Sequence, residues 1–83
     1  MQRQIKRDSN MNTYNITDET YYKMIDIVEK GDCYWDCIEL EDGCAITFAV
    51  KNNTPCLVEV MNEEDVVLRH DFSLSRFNKL ANS

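Results

Sequence analysis

Two β-strands and the turn between them can be read from the stretch CIELEDGCAITFAV, residues 37–50. Apolar and polar residues alternate on both sides of Glu41-Asp42-Gly43, and a period of two is typical of strands. A two-residue turn would pair Ile38 with Thr47 and mix the two faces. A three-residue loop with the glycine in the left-handed region pairs Ile38 with Ile46 instead, and we predict that loop. It gives the sheet one apolar face, predicted to carry Tyr34, Ile38, Leu40, Cys44, Ile46 and Val50.

The same period continues to residue 71 and predicts an antiparallel meander of four strands, at about 33–40, 44–51, 56–61 and 66–71. The apolar face is predicted to continue through Cys56, Val58, Val60 and Leu68. If Val60 lies opposite Leu68, Glu59 lies opposite Arg69, and such an opposite-charge pair would support the register.

Two helices flank the predicted strands. Thr17 is a suitable N-cap for a helix over about 18–30, whose apolar stripe is Tyr21, Met24, Ile25 and Val28. Ser73 caps a second helix from about residue 74, with Leu74, Phe77, Leu80 and Ala81 on one side. We therefore predict an α+β fold, a four-stranded antiparallel meander with an N-terminal and a C-terminal helix packed on one face.

Residues 13–83 are predicted to form a single domain, and residues 1–12 a disordered N-terminal extension. The first ten residues carry three basic side chains and one acidic one, so a small electrostatic docking arm is the alternative. The whole chain has 15 acidic and nine basic residues, a net charge of −6, and without residues 1–10 the charge is −8. This balance argues against direct binding of nucleic acid or of an anionic membrane. No apolar stretch resembles a signal peptide or a membrane span, which predicts a cytoplasmic protein.

Four cysteines, at positions 33, 37, 44 and 56, raise the possibility of a zinc or redox site. On a straight strand Cys33 and Cys37 would lie roughly 13 Å apart, too far to share a metal or to form a disulfide. Cys44 and Cys56 are assigned to the apolar face, where cysteine behaves as a small hydrophobic residue. We expect four reduced thiols, no bound metal and no cofactor.

No catalytic motif is present. His70, Asp71 and Ser73 are close in sequence, but alternate strand residues point to opposite faces, and triads are assembled from distant segments. The acidic run Glu63-Glu64-Asp65 lacks the spacing of a calcium loop and is predicted to be a solvated turn. The sequence therefore predicts a protein that is not an enzyme.

A resemblance covers about a quarter of the chain. It is carried by Gly31-Asp32-Cys33-Tyr34-Trp35-Asp36-Cys37-Ile38-Glu39-Leu40-Glu41-Asp42-Gly43, with Asn15-Ile16-Thr17-Asp18-Glu19 and Asp71-Phe72-Ser73. These segments resemble small uncharacterised proteins carried on mobile elements of gut bacteria. The resemblance implies a bacterial cytosolic accessory protein and transfers no site residues.

The sheet face opposite the predicted core is the candidate functional surface. Aromatic and methionine side chains are enriched in protein interfaces, and this face is predicted to carry Trp35, Leu57, Met61 and Val67 with Glu59 and Arg69. We predict a non-enzymatic binding module that contacts an unknown protein partner or a second copy through this face. The alternatives are an acidic nucleic-acid mimic that inhibits a basic protein, and a small four-cysteine zinc or redox protein. The face could also be covered from within, by the N-terminal segment or by one of the helices.

Overall fold

The structure is a computed structural model that describes residues 13–83. The predictions of a disordered extension or a docking arm at residues 1–12 concern residues outside that range. Two helices and four strands follow one another along the chain: α1 (Asp18–Glu29), β1 (Cys33–Glu39), β2 (Ala45–Lys51), β3 (Thr54–Met61), β4 (Val67–Leu68) and α2 (Leu74–Ala81). The predicted α+β class and the order of its elements are confirmed.

The four strands form one antiparallel sheet in the order β1-β2-β3-β4. Ile38 pairs with Ile46, as the three-residue loop requires. Gly43 has a φ of +89°, and the backbone N–H of Leu40 donates to the carbonyl of Cys44 at 2.8 Å. The predicted loop and the register of the first hairpin are therefore confirmed.

A bulge in β1 corrects the prediction for Tyr34. Cys33 pairs with Val50 and Asp36 pairs with Phe48, so two residues of β1, Tyr34 and Trp35, lie opposite one residue of β2. The extra residue reverses the face of the sheet to which the residues before the bulge point. Cys33 therefore takes the core position beside Val50, and Tyr34 is 87 % exposed rather than buried.

A second bulge, in β3, corrects the prediction for Cys56. Thr47 pairs with Glu59 but Ala49 pairs with Cys56, which leaves an extra residue at Leu57 and Val58. Leu57 has a φ of +55°. The shift moves Cys56 from the predicted core face to the opposite face.

The β2–β3 loop is also shorter than predicted, because Asn52 and Asn53 both take positive φ values and form a two-residue turn.

The fourth strand is shorter than predicted. Val60 pairs with Leu68 as expected, but β4 ends there. The segment after it pairs instead with the chain before α1: Tyr14 N–H donates to the Arg69 carbonyl at 2.7 Å, and Asp71 N–H donates to the Tyr14 carbonyl at 3.1 Å. Tyr14 thus forms an isolated parallel bridge with His70, just after the end of β4.

Both helices pack on the same face of the sheet. Thr17 caps α1 and Ser73 caps α2, each through a side-chain oxygen that accepts from a backbone N–H three residues later. Leu74, predicted on the packed side of α2, is 43 % exposed, whereas Phe77 is buried. One cluster of buried side chains joins the helices to the sheet: Ile16, Tyr21, Met24, Val28, Ile38, Ile46, Phe48, Val50, Val60 and Phe77.

Candidate binding face

The sheet face that the helices leave uncovered is called the outer face here. It is defined by the residues that alternate along each strand with the core-facing residues: Trp35, Cys37, Glu39, Ala45, Thr47, Ala49, Cys56, Glu59, Met61 and Val67. No other helix or strand of residues 13–83 exists to cover it, since both helices lie on the core side. The alternative that the helices divide between the two faces is therefore wrong.

A shallow hollow lies on the outer face beside the only tryptophan of the chain. It is lined by Trp35, Asp36, Cys37, Thr47 and Glu59. Trp35 is 45 % exposed, and it lies on β1, an edge strand of the sheet. The hollow thus combines an aromatic ring with the carboxylate of Glu59, two strands away on β3. Asp36 pairs with the buried Phe48 and so belongs to the core side of β1, and its Oδ1 accepts from the Cys37 N–H at 2.8 Å.

Leu57 is the most unusual residue of the bulge in β3. Its φ of +55° lies in the left-handed region, which costs a residue with a Cβ about 1–2 kcal/mol relative to the right-handed conformation. The other positive-φ residues with side chains in the described chain are Asn52, Asn53 and Asp65, types that tolerate this region. Leu57 is 66 % exposed, so burial of its side chain does not offset the strain.

The remaining predicted site residues are spread over the neighbouring strands. Met61 is half-buried on the outer face, and its pairing partner Val67 is 56 % exposed. Glu59 and Arg69 are both exposed. The ion pair predicted between them is absent from residues 13–83, because β4 ends at Leu68 and the backbone of Arg69 pairs with Tyr14.

The turns at one end of the sheet carry most of the nearby negative charge. In a meander the β1–β2 and β3–β4 turns lie at the same end, and here they touch: a Cβ on Gly43 would overlap the Glu63 carboxylate. Six carboxylates belong to this end, which we call the acidic end: Glu39, Glu41, Asp42, Glu63, Glu64 and Asp65.

Hydrogen bonds fix one carboxylate of the acidic end. Asp42 Oδ2 accepts from the Tyr14 hydroxyl at 2.7 Å, and Asp42 Oδ1 accepts from the Cys44 N–H at 3.1 Å. These two donors lower the pKa of Asp42, the tyrosine contributing most. Partial burial, followed by the same carboxylate, raises the pKa of Tyr14 well above its usual value. Asp42 therefore ties the first hairpin to the segment before α1.

The four cysteines lie on two sides of the sheet. Cys33 and Cys44 pack against the core, whereas Cys37 and Cys56 belong to the outer face. Burial, together with the charge of Asp42, raises the pKa of the Cys44 thiol. No three His, Cys, Asp or Glu side chains of residues 13–83 are grouped in a way that could hold a metal ion. A single four-thiolate site would require ligands from opposite faces of the sheet.

The three residues that suggested a triad have separate structural partners. His70 Nε2 lies 3.2 Å from the Val58 carbonyl, and its Nδ1 accepts from the Phe72 N–H at 3.2 Å. Asp71 Oδ1 accepts from the Ile16 N–H at 2.8 Å, and the Ser73 hydroxyl caps α2. No hydrogen bond joins the side chains of any two of these three residues.

Two features of the fold, one buried aromatic residue and one hydrogen bond, were not identified from the sequence. Phe48 is fully buried at the centre of β2, and its alternation with Ile46 and Val50 was the available signal. The bond between Tyr14 and Asp42 joins residues 28 positions apart, and nothing local in the sequence indicates it.

The chain was compared with protein-family models, with curated proteins and with solved structures. None of these comparisons finds a match. Among residues 13–83, no helix combines the length and the apolar character needed to cross a membrane.

Proposed function

We propose that this chain is a non-enzymatic accessory protein of a bacterial mobile-element system that acts in the cytosol by binding another protein through its outer face. The observation that carries the proposal is the exposure of large apolar side chains on two strands of this face, Trp35 in β1 and Val67 in β4. Leu57, at the bulge in β3, is a further large apolar side chain that is exposed. Exposed patches of this kind on small proteins commonly mark interaction sites.

The strain at Leu57 supports the same proposal. A glycine would adopt a φ of +55° without penalty, and an exposed leucine gains little from packing within its own chain. A strained residue is expected where it serves a function that stability alone does not explain. Contact between Leu57 and a bound partner would supply that function.

The test is affinity capture from the native host with the full chain as bait. Trp35→Ser combined with Met61→Ser removes two apolar groups from the outer face, and Tyr22→Ser is the matched control, because Tyr22 is an aromatic residue of α1 that is 49 % exposed. We expect the outer-face variant to lose a partner that the wild type and the control retain, with all three proteins folded by circular dichroism. Retention of every captured protein by the outer-face variant would contradict the proposal.

A second candidate function is mimicry of nucleic acid, which the acidic end favours. Residues 13–83 carry a charge of −8, and both turns of the acidic end lie at the same end of the sheet. A basic nucleic-acid-binding groove could be blocked by such a surface. Glu63→Gln with Glu64→Gln would then release the partner, and moderate salt would do the same, whereas the Trp35 and Met61 variant would retain it.

The zinc or redox alternative receives less support. Two thiols lie on each side of the sheet, so a tetrahedral site built from all four is incompatible with the observed pairing. Native mass spectrometry of the purified chain would detect a bound metal directly.

A further inference from the structure

We propose that the hollow beside Trp35 binds a cationic side chain of the partner, arginine in preference to lysine. This inference rests on the proposed function, since it names the chemistry that the outer face recognises. The hollow brings together one aromatic ring and the carboxylate of Glu59. Cations are attracted both to the face of a tryptophan ring and to a carboxylate, so the hollow suits a group that can use both.

Charge compensation is the first reason for a cationic occupant. Within residues 13–83, no lysine or arginine lies at ion-pair distance from Glu59; the ion pairs there join Asp26 to Lys30 and Asp18 to Arg76. A partner that covers the outer face removes water from Glu59. An uncompensated carboxylate at an interface strongly opposes binding, so the occupant must bring a positive charge to this position.

A second copy of the chain meets this requirement poorly. Arg69 is the one basic residue that a second copy could offer from the predicted face. Each copy would also bring a charge of −8 over residues 13–83, and the two charges repel each other. This repulsion favours a different protein with basic residues over self-association.

The shape of the hollow favours arginine. The guanidinium group is planar, stacks on aromatic rings and presents paired donors that match a carboxylate. The hollow is shallow and open, and the pairing of Cys37 with Thr47 and of Thr47 with Glu59 sets these three residues in a row that forms a flat floor. A flat group can lie across such a floor, with its face toward the ring and its edge toward the carboxylate.

Trp35 provides a direct probe, because it is the only tryptophan in the chain. The full chain is titrated, at physiological salt, with a blocked six-residue peptide that alternates valine with arginine. Two matched peptides replace arginine with citrulline, which is isosteric and uncharged, or with lysine. Tryptophan fluorescence reports occupancy of the hollow.

We expect the arginine peptide to bind about tenfold more tightly than the citrulline peptide, with lysine in between. Glu59→Gln should remove most of this preference. Glu63→Gln with Glu64→Gln, which removes charge from the acidic end instead, should leave it intact. Equal affinity for all three peptides, a lack of binding, or an equal loss in both variants would overturn the inference.

The two proposals fail in different ways. If the peptides show no preference while the Trp35 and Met61 variant still loses its captured partner, the cationic site is wrong and the binding face stands. If that variant keeps every partner, the binding face itself is wrong. Sedimentation of the full chain over a range of concentrations adds a third outcome, since a dimer lost on Trp35→Ser would identify a second copy as the occupant and contradict the inference.

Discussion

The two faces of the sheet are built from the same strands, yet they follow different physical rules. On the core face, Ile46, Phe48 and Val60 are fully buried beneath the helices, and their positions follow from simple alternation along each strand. On the outer face, Trp35 and Val67 are exposed, and no helix of residues 13–83 covers them. Burial therefore determines the first face, whereas the second retains exposed apolar area that packing within residues 13–83 does not require.

The largest expected difference between the faces concerns Phe48. Phe48→Ala should destabilise the protein by about 3–5 kcal/mol, because it opens a cavity under both helices. Its neighbour Thr47 faces outward, and Thr47→Ala should cost less than about 1 kcal/mol. Urea unfolding followed by circular dichroism measures both. Since a loss of this size can unfold a small domain, Phe48→Leu provides a milder variant; equal costs at positions 47 and 48 would contradict the division into two faces.

A buried hydrogen bond on the core side gives the next largest effect. The Tyr21 hydroxyl accepts from the Ser73 N–H at 3.0 Å, and Tyr21 is fully buried. Tyr21→Phe leaves that donor without its partner and should cost about 1–2 kcal/mol in the free energy of unfolding. Tyr22→Phe, on the exposed side of the same helix, serves as the control and should change stability by less than about 0.5 kcal/mol. A negligible effect at Tyr21 would show that the bond contributes little to docking α1 against the start of α2.

The strain at Leu57 predicts a substitution that raises the free energy of unfolding instead of lowering it. Leu57→Gly should stabilise the protein by about 0.5–1 kcal/mol, since glycine accepts the positive φ and the leucine side chain is mostly exposed. Leu57→Ala keeps the Cβ and should give no such gain. Thermal unfolding of the three proteins makes the comparison. A glycine variant that is less stable than wild type would show that Leu57 belongs to the core.

The smallest expected effect is the pH dependence contributed by Asp42. Its pKa is lowered in the folded protein, so its contribution to stability is complete above the unfolded pKa of about 4 and is lost as pH falls through the folded pKa. The stability difference between wild type and Asp42→Asn should therefore be constant from pH 7 to 5 and shrink below about pH 4. Tyr14→Phe removes the largest cause of the shift and should reduce the same dependence. A difference that grows on acidification would contradict this sign.

Much of the fold could be predicted because burial and local signals agree. Thr17 and Ser73 cap their helices as expected, and Gly43 sets the register of the first hairpin. The bulges could not be predicted, because Tyr34, Trp35 and Leu57 are residue types that fit an ordinary strand. Tyr34 and Cys56 were consequently assigned to the wrong face. The short β4 follows from the pairing of Tyr14 with the segment after it, a contact between distant parts of the sequence.

Some features of the candidate surface could likewise be predicted from the sequence, and others could not. The location of Trp35, Met61 and Val67 away from the core follows from alternation, and the structure agrees with it. The hollow on this face is lined by residues of three neighbouring strands, Trp35 and Cys37 of β1, Thr47 of β2 and Glu59 of β3. The predicted pairing of Glu59 with Arg69 was wrong, and it is the unpaired state of Glu59 within the described chain that gives the hollow its negative charge.

The measurement that most directly tests the exposed outer face is acrylamide quenching of Trp35 fluorescence in the full 83-residue chain at low concentration. Trp35 is the only tryptophan in the chain, and the unfolded chain in urea supplies the reference for a fully accessible tryptophan. We predict red-shifted emission and a quenching constant of about half the unfolded value, in keeping with a side chain that is 45 % exposed. Blue-shifted emission with strong protection in the monomer would show that the chain covers its own outer face, and would contradict an exposed binding surface.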